Sequence, residues 1–167
     1  MLPIFALVIV AFLFLGSRGL QAQTITIPGI RLRELKQGIP FRNLIMQEAT
    51  KRGLDPCLVA GIIQVESAFN PDASNPADPS FGLMQITPIA LKDTQQRGDI
   101  SPAIIFAQLR NPEINVAVGT EFLKILRDRH NINFPDEVDA FNAGPDLNPR
   151  VPEYVEKVKS AMRNLCA

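Results

Sequence analysis

With 167 residues, the chain has the length of one compact domain plus a short extension, and such a domain buries roughly two-thirds of the surface its unfolded chain exposes. Apolar residues make up 46% of the sequence, which excludes a disordered chain. Seventeen basic residues balance seventeen acidic ones, which argues against nucleic acid as a partner, because a phosphate backbone calls for a basic face.

Leu2 to Gly16 carries no charge and is mostly Leu, Ile, Val, Phe and Ala. About fifteen apolar residues fall short of the roughly 20 that span a bilayer but suit the core of a secretory signal. Small residues follow, so residues 1–22 are expected to form an export signal cleaved after Ala22, with an uncleaved membrane anchor as the alternative. Residues 23–40 show no sustained periodicity and read as a lead-in segment. From Phe41 the pattern is helical. Phe41, Leu44, Ile45 and Ala49 share one face until Gly53 ends the run. Asp55-Pro56 has the form of a helix start, a capping side chain followed by a proline where no amide donor is required. Leu58, Val59, Ile62, Ile63 and Phe69 continue at helical spacing until Asn70-Pro71.

Asp72 to Ser80 is rich in Asn, Asp, Pro and Ser and reads as a loop. Thr87-Pro88 opens a short helix that Gly98 ends, Ser101-Pro102 starts a further turn, and Asn111-Pro112 starts a long helix through Leu126. Short helices are expected over Asp136 to Phe141 and Pro152 to Leu165. No alternating segment is long enough to define a strand. The fold class is mainly α, a single domain over residues 41–167.

Cys57 and Cys166 are the only cysteines. An even count in an exported chain permits one disulfide between the first long helix and the tail, against one buried and one exposed thiol. Two cysteines and the single His130 exclude most zinc sites and every His-dependent triad, so no metal and no cofactor are expected. His130 falls at a helix end beside Asn131, where capping or a surface role is its ordinary use.

Leu58, Ile62 and Glu66 lie at successive steps of four, so Glu66 continues a buried stripe where an apolar residue would extend the core. Partial dehydration there disfavours the ionised carboxyl and raises its pKa. A carboxyl so raised can donate a proton near neutral pH, as protonation of a glycosidic oxygen requires. A solvated surface glutamate at the stripe's edge is the commoner case.

The strings VESAFNP (Val65 to Pro71), SFGLMQITP (Ser80 to Pro88) and AFNAGP (Ala140 to Pro145), followed by Tyr154-Val155, stand in that order. Together they resemble the soluble lytic transglycosylase family over Phe41 to about Arg163, and NPEIN (Asn111 to Asn115), leading to Gly119, is similar to its connecting helix. The resemblance implies a lysozyme-like helical fold with a substrate cleft. It also implies that Glu66 is the catalytic acid and that the glycan strands of peptidoglycan are the partner. By resemblance the substrate-facing residues are Ser67, Ser74 or Asn75, Gly82, Met84, Gln85, Phe141, Asn142, Ala143 and Tyr154. Each has an ordinary reading too. Gly82 lets backbone approach a sugar closely or merely turns the chain. Met84 faces substrate or packs in the core. Gln85 binds sugar hydroxyl and acetamido groups or braces the loop. Ser67 orients Glu66 or ends its helix. Tyr154 sets its hydroxyl near the catalytic carboxyl or packs with a wet tip.

In the chemistry implied, Glu66 protonates the oxygen between N-acetylmuramic acid and N-acetylglucosamine, then takes the proton of the muramic C6 hydroxyl as it closes a 1,6-anhydro ring. The rival enzyme is a hydrolytic muramidase similar to goose-type lysozyme, with Asp72 or Asp78 positioning water, but Thr87 stands where that pattern has an aspartate. A non-catalytic peptidoglycan-binding or assembly protein is the third reading. Phe141 replaces the tyrosine usual before Asn-Ala-Gly, and the segment between Gly144 and Tyr154 is shorter than in many members. The chain is expected to be exported and periplasmic or envelope-associated, touching membrane only through an uncleaved N-terminal segment.

Overall fold

The computed structural model describes residues 34–144 and 150–167. The apolar segment expected to direct export, most of the lead-in and residues 145–149 lie outside the described residues. Six α-helices carry the described fold: α1 (Arg42–Lys51), α2 (Pro56–Ser67), α3 (Pro88–Arg97), α4 (Pro112–His130), α5 (Asp136–Ala143) and α6 (Pro152–Leu165). The starts follow local chemistry. Asp55 Oδ1 accepts from Cys57 N at 2.8 Å, Thr87 Oγ1 from Ala90 N at 3.2 Å, and Asn111 Oδ1 from Ile114 N at 3.0 Å. Each cap satisfies an amide that the first turn leaves without a partner, and each is followed by proline at the first helical position.

α2 is the hub. Every residue from Pro56 to Ile63 is buried, so the helix is apolar around its circumference for two turns, as a central helix must be. It packs against α1 and α6, while α4 packs on α1, α3 and α5. Gly61 lets α6 approach closely, since a Cβ there would sit 2.9 Å from Met162 Cγ and 3.2 Å from the Val158 carbonyl oxygen. α6 presents Tyr154, Val155, Val158, Ala161 and Met162 inward, a one-sided stripe at helical spacing.

Four features differ from the sequence reading. α2 stops at Ser67, because Ala68 and Phe69 are both left-handed at φ 50° and 62°; Phe69 therefore packs on the core from a turn. α4 continues four residues past Leu126 to His130, and Asn131 caps it in the left-handed conformation. That last turn is polar, so no apolar residue marked it. Ser74–Asn75 and Ser80–Phe81 form an antiparallel pair too short to show alternation. After the Ser101 turn, a 3-10 turn runs Phe106–Arg110.

The lead-in segment also enters the fold. Leu35 is 2% exposed and forms an antiparallel bridge with Cys166, flanked by Lys36 N donating to Leu165 O at 2.9 Å and Ala167 N to Glu34 O at 3.1 Å. Cys57 and Cys166 form a disulfide across a sequence separation of 109, tying the first turn of α2 to this bridge. Among the described residues no helix is long and apolar enough to cross a membrane.

Candidate active site

Glu66 lies on the last turn of α2 and is half-buried. Tyr154, on the first turn of α6 and 7% exposed, donates its hydroxyl to Glu66 Oε1 at 2.5 Å. The packing of α2 on α6 thus joins residues 88 apart in sequence. Burial pushes the Glu66 carboxyl above its ordinary range, and the Tyr154 hydrogen bond pulls it part of the way back. Burial, the Glu66 charge and the hydrogen bond all push the Tyr154 phenol upward, so it stays protonated and acts as a donor.

The loop after β2 is built from inside. Asn115, fully buried on α4, accepts from Met84 N at 2.8 Å and donates Nδ2 to the carbonyl oxygens of Phe81 (2.7 Å) and Leu109 (2.8 Å). One amide therefore braces three backbone groups of loop and 3-10 turn, and Met84 N and Leu109 O rely on it most, since Phe81 O also accepts from Ile86 N at 3.0 Å. Gly82 has φ 78°, and a Cβ on it would overlap Asn115 Nδ2 and the Leu109 carbonyl. The close approach that demands glycine here is to Asn115 and the Leu109 carbonyl. Met84 is fully buried with its sulfur over Gly119, so it is a core residue and not a substrate contact. Its packing against a glycine explains why α4 carries Gly119 there.

Ser67 does not bond Glu66. Its Oγ lies 3.1 Å from Ile63 O and 2.8 Å from Leu83 O, which fixes the end of α2 to the loop. The polar atoms of Gln85 are likewise engaged. Oε1 accepts from Ser80 Oγ at 2.9 Å, and Nε2 donates to Ala73 O at 3.1 Å and Gly82 O at 2.9 Å. Ser74 and Asn75 are exposed on the strand pair, with Asn75 Oδ1 accepting from Ala77 N at 3.1 Å.

A cleft of about 480 Å³ lies beside this loop. Its lining comes from two segments, Asp78 to Ala90 with Gln85, Thr87 and Ile89, and Phe141 to Gly144 together with Phe122. Phe141 stacks obliquely on Phe122 with centroids 5.8 Å apart, Ile89 is 81% exposed, and Asn142 is exposed. The structure therefore brings the AFNAG turn and the end of GLMQ into the lining of one cleft. Ser67 connects that loop to the helix end bearing Glu66. Asn115 was missed as a site-building residue, although it shares a helical face with Val118 and Phe122 and interrupts it with an amide.

Comparison with known proteins agrees with the helical fold. The family model described as the Transglycosylase SLT domain matches residues 43–163. The chain is 34% identical over 135 residues to a membrane-bound lytic murein transglycosylase C of Glaesserella parasuis, covering 76% of this chain and 37% of that protein. The protein of the same name from Actinobacillus pleuropneumoniae is 36% identical over 119 residues, covering 66% and 32%. The chain spans about a third of the length of these relatives. Among solved structures, an inactive Glu-to-Gln mutant of the lytic transglycosylase Slt from Pseudomonas aeruginosa superposes with a TM-score of 0.65 at 27% identity, covering 74% of this chain and 24% of that one. The 70-kDa soluble lytic transglycosylase of Escherichia coli gives 0.60 at 26%, covering 74% and 20%. The matched span runs from α1 into α6 and holds Glu66, Tyr154 and both segments that line the cleft: the chain belongs to the Transglycosylase SLT domain family.

Proposed function

We propose that this chain is a peptidoglycan lytic transglycosylase that cleaves the β-1,4 bond between N-acetylmuramic acid and N-acetylglucosamine without water, with Glu66 as acid and then base. One observation carries the reading: a half-buried carboxyl, raised by burial and held by Tyr154, on a helix end that Ser67 ties to the GLMQ loop, in a family of lytic transglycosylases. Burial and Tyr154 are the influences that shift Glu66. In this reading one group serves twice, as the family resemblance implies, in place of the carboxylate pair that many glycosidases use.

Glu66 gives its proton to the glycosidic oxygen, the C1–O bond breaks, and the N-acetylglucosamine side leaves as an alcohol. The acetamido carbonyl of the muramic sugar stabilises the cation at C1. Glu66, now ionised, takes the proton of the C6 hydroxyl while O6 bonds to C1, which restores the acid and closes the anhydro ring. Positioning a hydroxyl of the same sugar gives the proximity advantage that free water lacks. Tyr154 fixes which Glu66 oxygen is free. Phe141 offers an aromatic face, and Asn142 with the Ala143–Gly144 backbone offers hydrogen-bonding groups to the sugars; Gln85 contributes by shaping its wall.

Glycan strands are the partner in this reading, and no cofactor enters the chemistry. Residues 41–167 act as the catalytic domain, with Leu35 packed against it. Export through residues 1–22 and an envelope location accord with relatives named as membrane-bound murein enzymes and with a disulfide, which persists in oxidising compartments. Mass spectrometry of purified peptidoglycan after incubation tests the reading. Anhydro-muropeptides support it, reducing ends formed with water point to a muramidase using Asp78 in the cleft, and no release points to a binding protein.

A further inference from the structure

At the end of α2 away from Glu66 lies a second cavity, of about 440 Å³. That volume is within the roughly 300–1,000 Å³ of small-molecule sites. Asp55 is eleven positions before Glu66, so about 16 Å of helix separates the two. The lining divides by chemistry. Leu58, Met162 and Phe134 supply apolar surface, Asp55 and Glu137 supply carboxyls, and Lys159 and Arg163 supply cations.

Glu137 marks this place as more than a surface dimple. It is 6% exposed, and its Oε2 is a buried polar atom without a hydrogen-bond partner. Buried polar groups are ordinarily satisfied, so an unmet one points to a missing partner. Burial and the Asp55 charge raise its carboxyl against the lowering influence of Arg127. Asp55 commits Oδ1 to the α2 cap. Lys159 Nζ stands 5.8 Å from the Phe134 ring centroid and pairs with Glu156 at the surface. Phe134 is 41% exposed, a large apolar side chain left open at the mouth.

We propose that this cavity binds a small zwitterion of the amino-acid class with an apolar side chain. Its ammonium group meets Glu137 and Asp55, its carboxylate meets Lys159 and Arg163, and its apolar part lies against Leu58, Met162 and Phe134. A simple cation would leave Lys159 and Arg163 unused, and a simple anion would leave the Glu137 and Asp55 carboxyls without a partner. The site stands apart from Glu66 and does not rest on the reading of the catalytic chemistry.

Amide-resolved NMR titration of the disulfide-bonded protein tests it, with leucine and phenylalanine as probes. N-acetyl-leucine, which lacks the ammonium, and leucine amide, which lacks the carboxylate, are the controls. The expected result is saturable shifts at the α2 start, in α5 and in the second half of α6. Each control should bind at least about tenfold more weakly, roughly 1.4 kcal/mol. Glu137→Gln should weaken leucine at least as much while peptidoglycan cleavage is unchanged, and Arg163→Ala, at an exposed position, gives the same test without touching the buried carboxyl. The proposal is overturned if neither amino acid produces saturable shifts, if the controls bind as well, if the shifts map to the Glu66 cleft, or if both variants bind like the parent.

Discussion

At the scale of single residues, the account turns on the pair Glu66–Tyr154. The native carboxyl holds its proton to higher pH than the unfolded one, because burial raises it. The native state therefore binds more protons above the ordinary value near 4.5, and this contribution to stability is lost as pH rises through the folded pKa. Glu66→Gln keeps the acceptor for Tyr154 and removes the buried charge. At pH 7 it should melt about 2–4 °C above the parent, corresponding to roughly 1 kcal/mol, with the gap closing in acid; calorimetry across pH reads both. For catalysis the acid form is needed, so kcat/KM should fall as pH rises through the Glu66 pKa. Tyr154→Phe removes the one influence that lowers it, so the descending limb should move to higher pH. Losing a hydrogen bond to a charged group should also lower kcat by about 10–100-fold. A limb that stays in place would show that Tyr154 does not act on Glu66.

Asn115 makes a different prediction. Replacing it with Ala strands Met84 N and the Leu109 carbonyl, each worth about 1–3 kcal/mol when buried without a partner, while Phe81 O keeps its bond from Ile86 N. Denaturant titration should show a loss of roughly 3 kcal/mol or more, with activity falling because both the loop and its Gln85 wall lose their support.

At the scale of elements, most helix starts were legible because capping is local: Asp55-Pro56, Thr87-Pro88 and Asn111-Pro112 state their own chemistry within four residues. The ends were less so. Nothing local announces that Ala68 and Phe69 adopt left-handed backbone, which costs about 1 kcal/mol or more without glycine and is held by tertiary contacts. That strained turn begins two residues after Glu66, and it fixes where α2 stops. The disulfide ties the start of the same helix to the chain's tail. In the chain-entropy model, closing so long a loop stabilises by up to about 4–5 kcal/mol. Reduction, or Cys57→Ser with Cys166→Ser, should lower Tm by on the order of 10 °C, with the Leu35–Cys166 bridge fraying first. Hydrogen exchange at Lys36 and Ala167 would show this directly.

At the scale of the whole molecule, the mainly helical class followed from periodicity, while the site followed from ordered motifs whose residues divide in two. Glu66, Tyr154, Phe141 and Asn142 stand at the carboxyl or the cleft. Ser67, Gly82, Met84 and the amide of Gln85 hold the scaffold, and no pattern in one dimension separates these groups, because burial decides between them. The buried Arg52–Glu48–Glu121 network escaped the sequence for the same reason: Arg52 Nε meets Glu121 at 2.8 Å across 69 residues. Arg52 links α4 to the end of α1, and Gly98 makes room for Glu121, whose Cγ would lie 2.6 Å from a Cβ there.

The central claim is that one carboxyl, Glu66, opens the glycan strand by ring closure within the sugar. Mass spectrometry of muropeptides released in water enriched in oxygen-18 tests it most directly. The account predicts 1,6-anhydro ends that carry no label, and no release by Glu66→Gln. Labelled reducing ends from the parent, or near-parental release by Glu66→Gln, would contradict it.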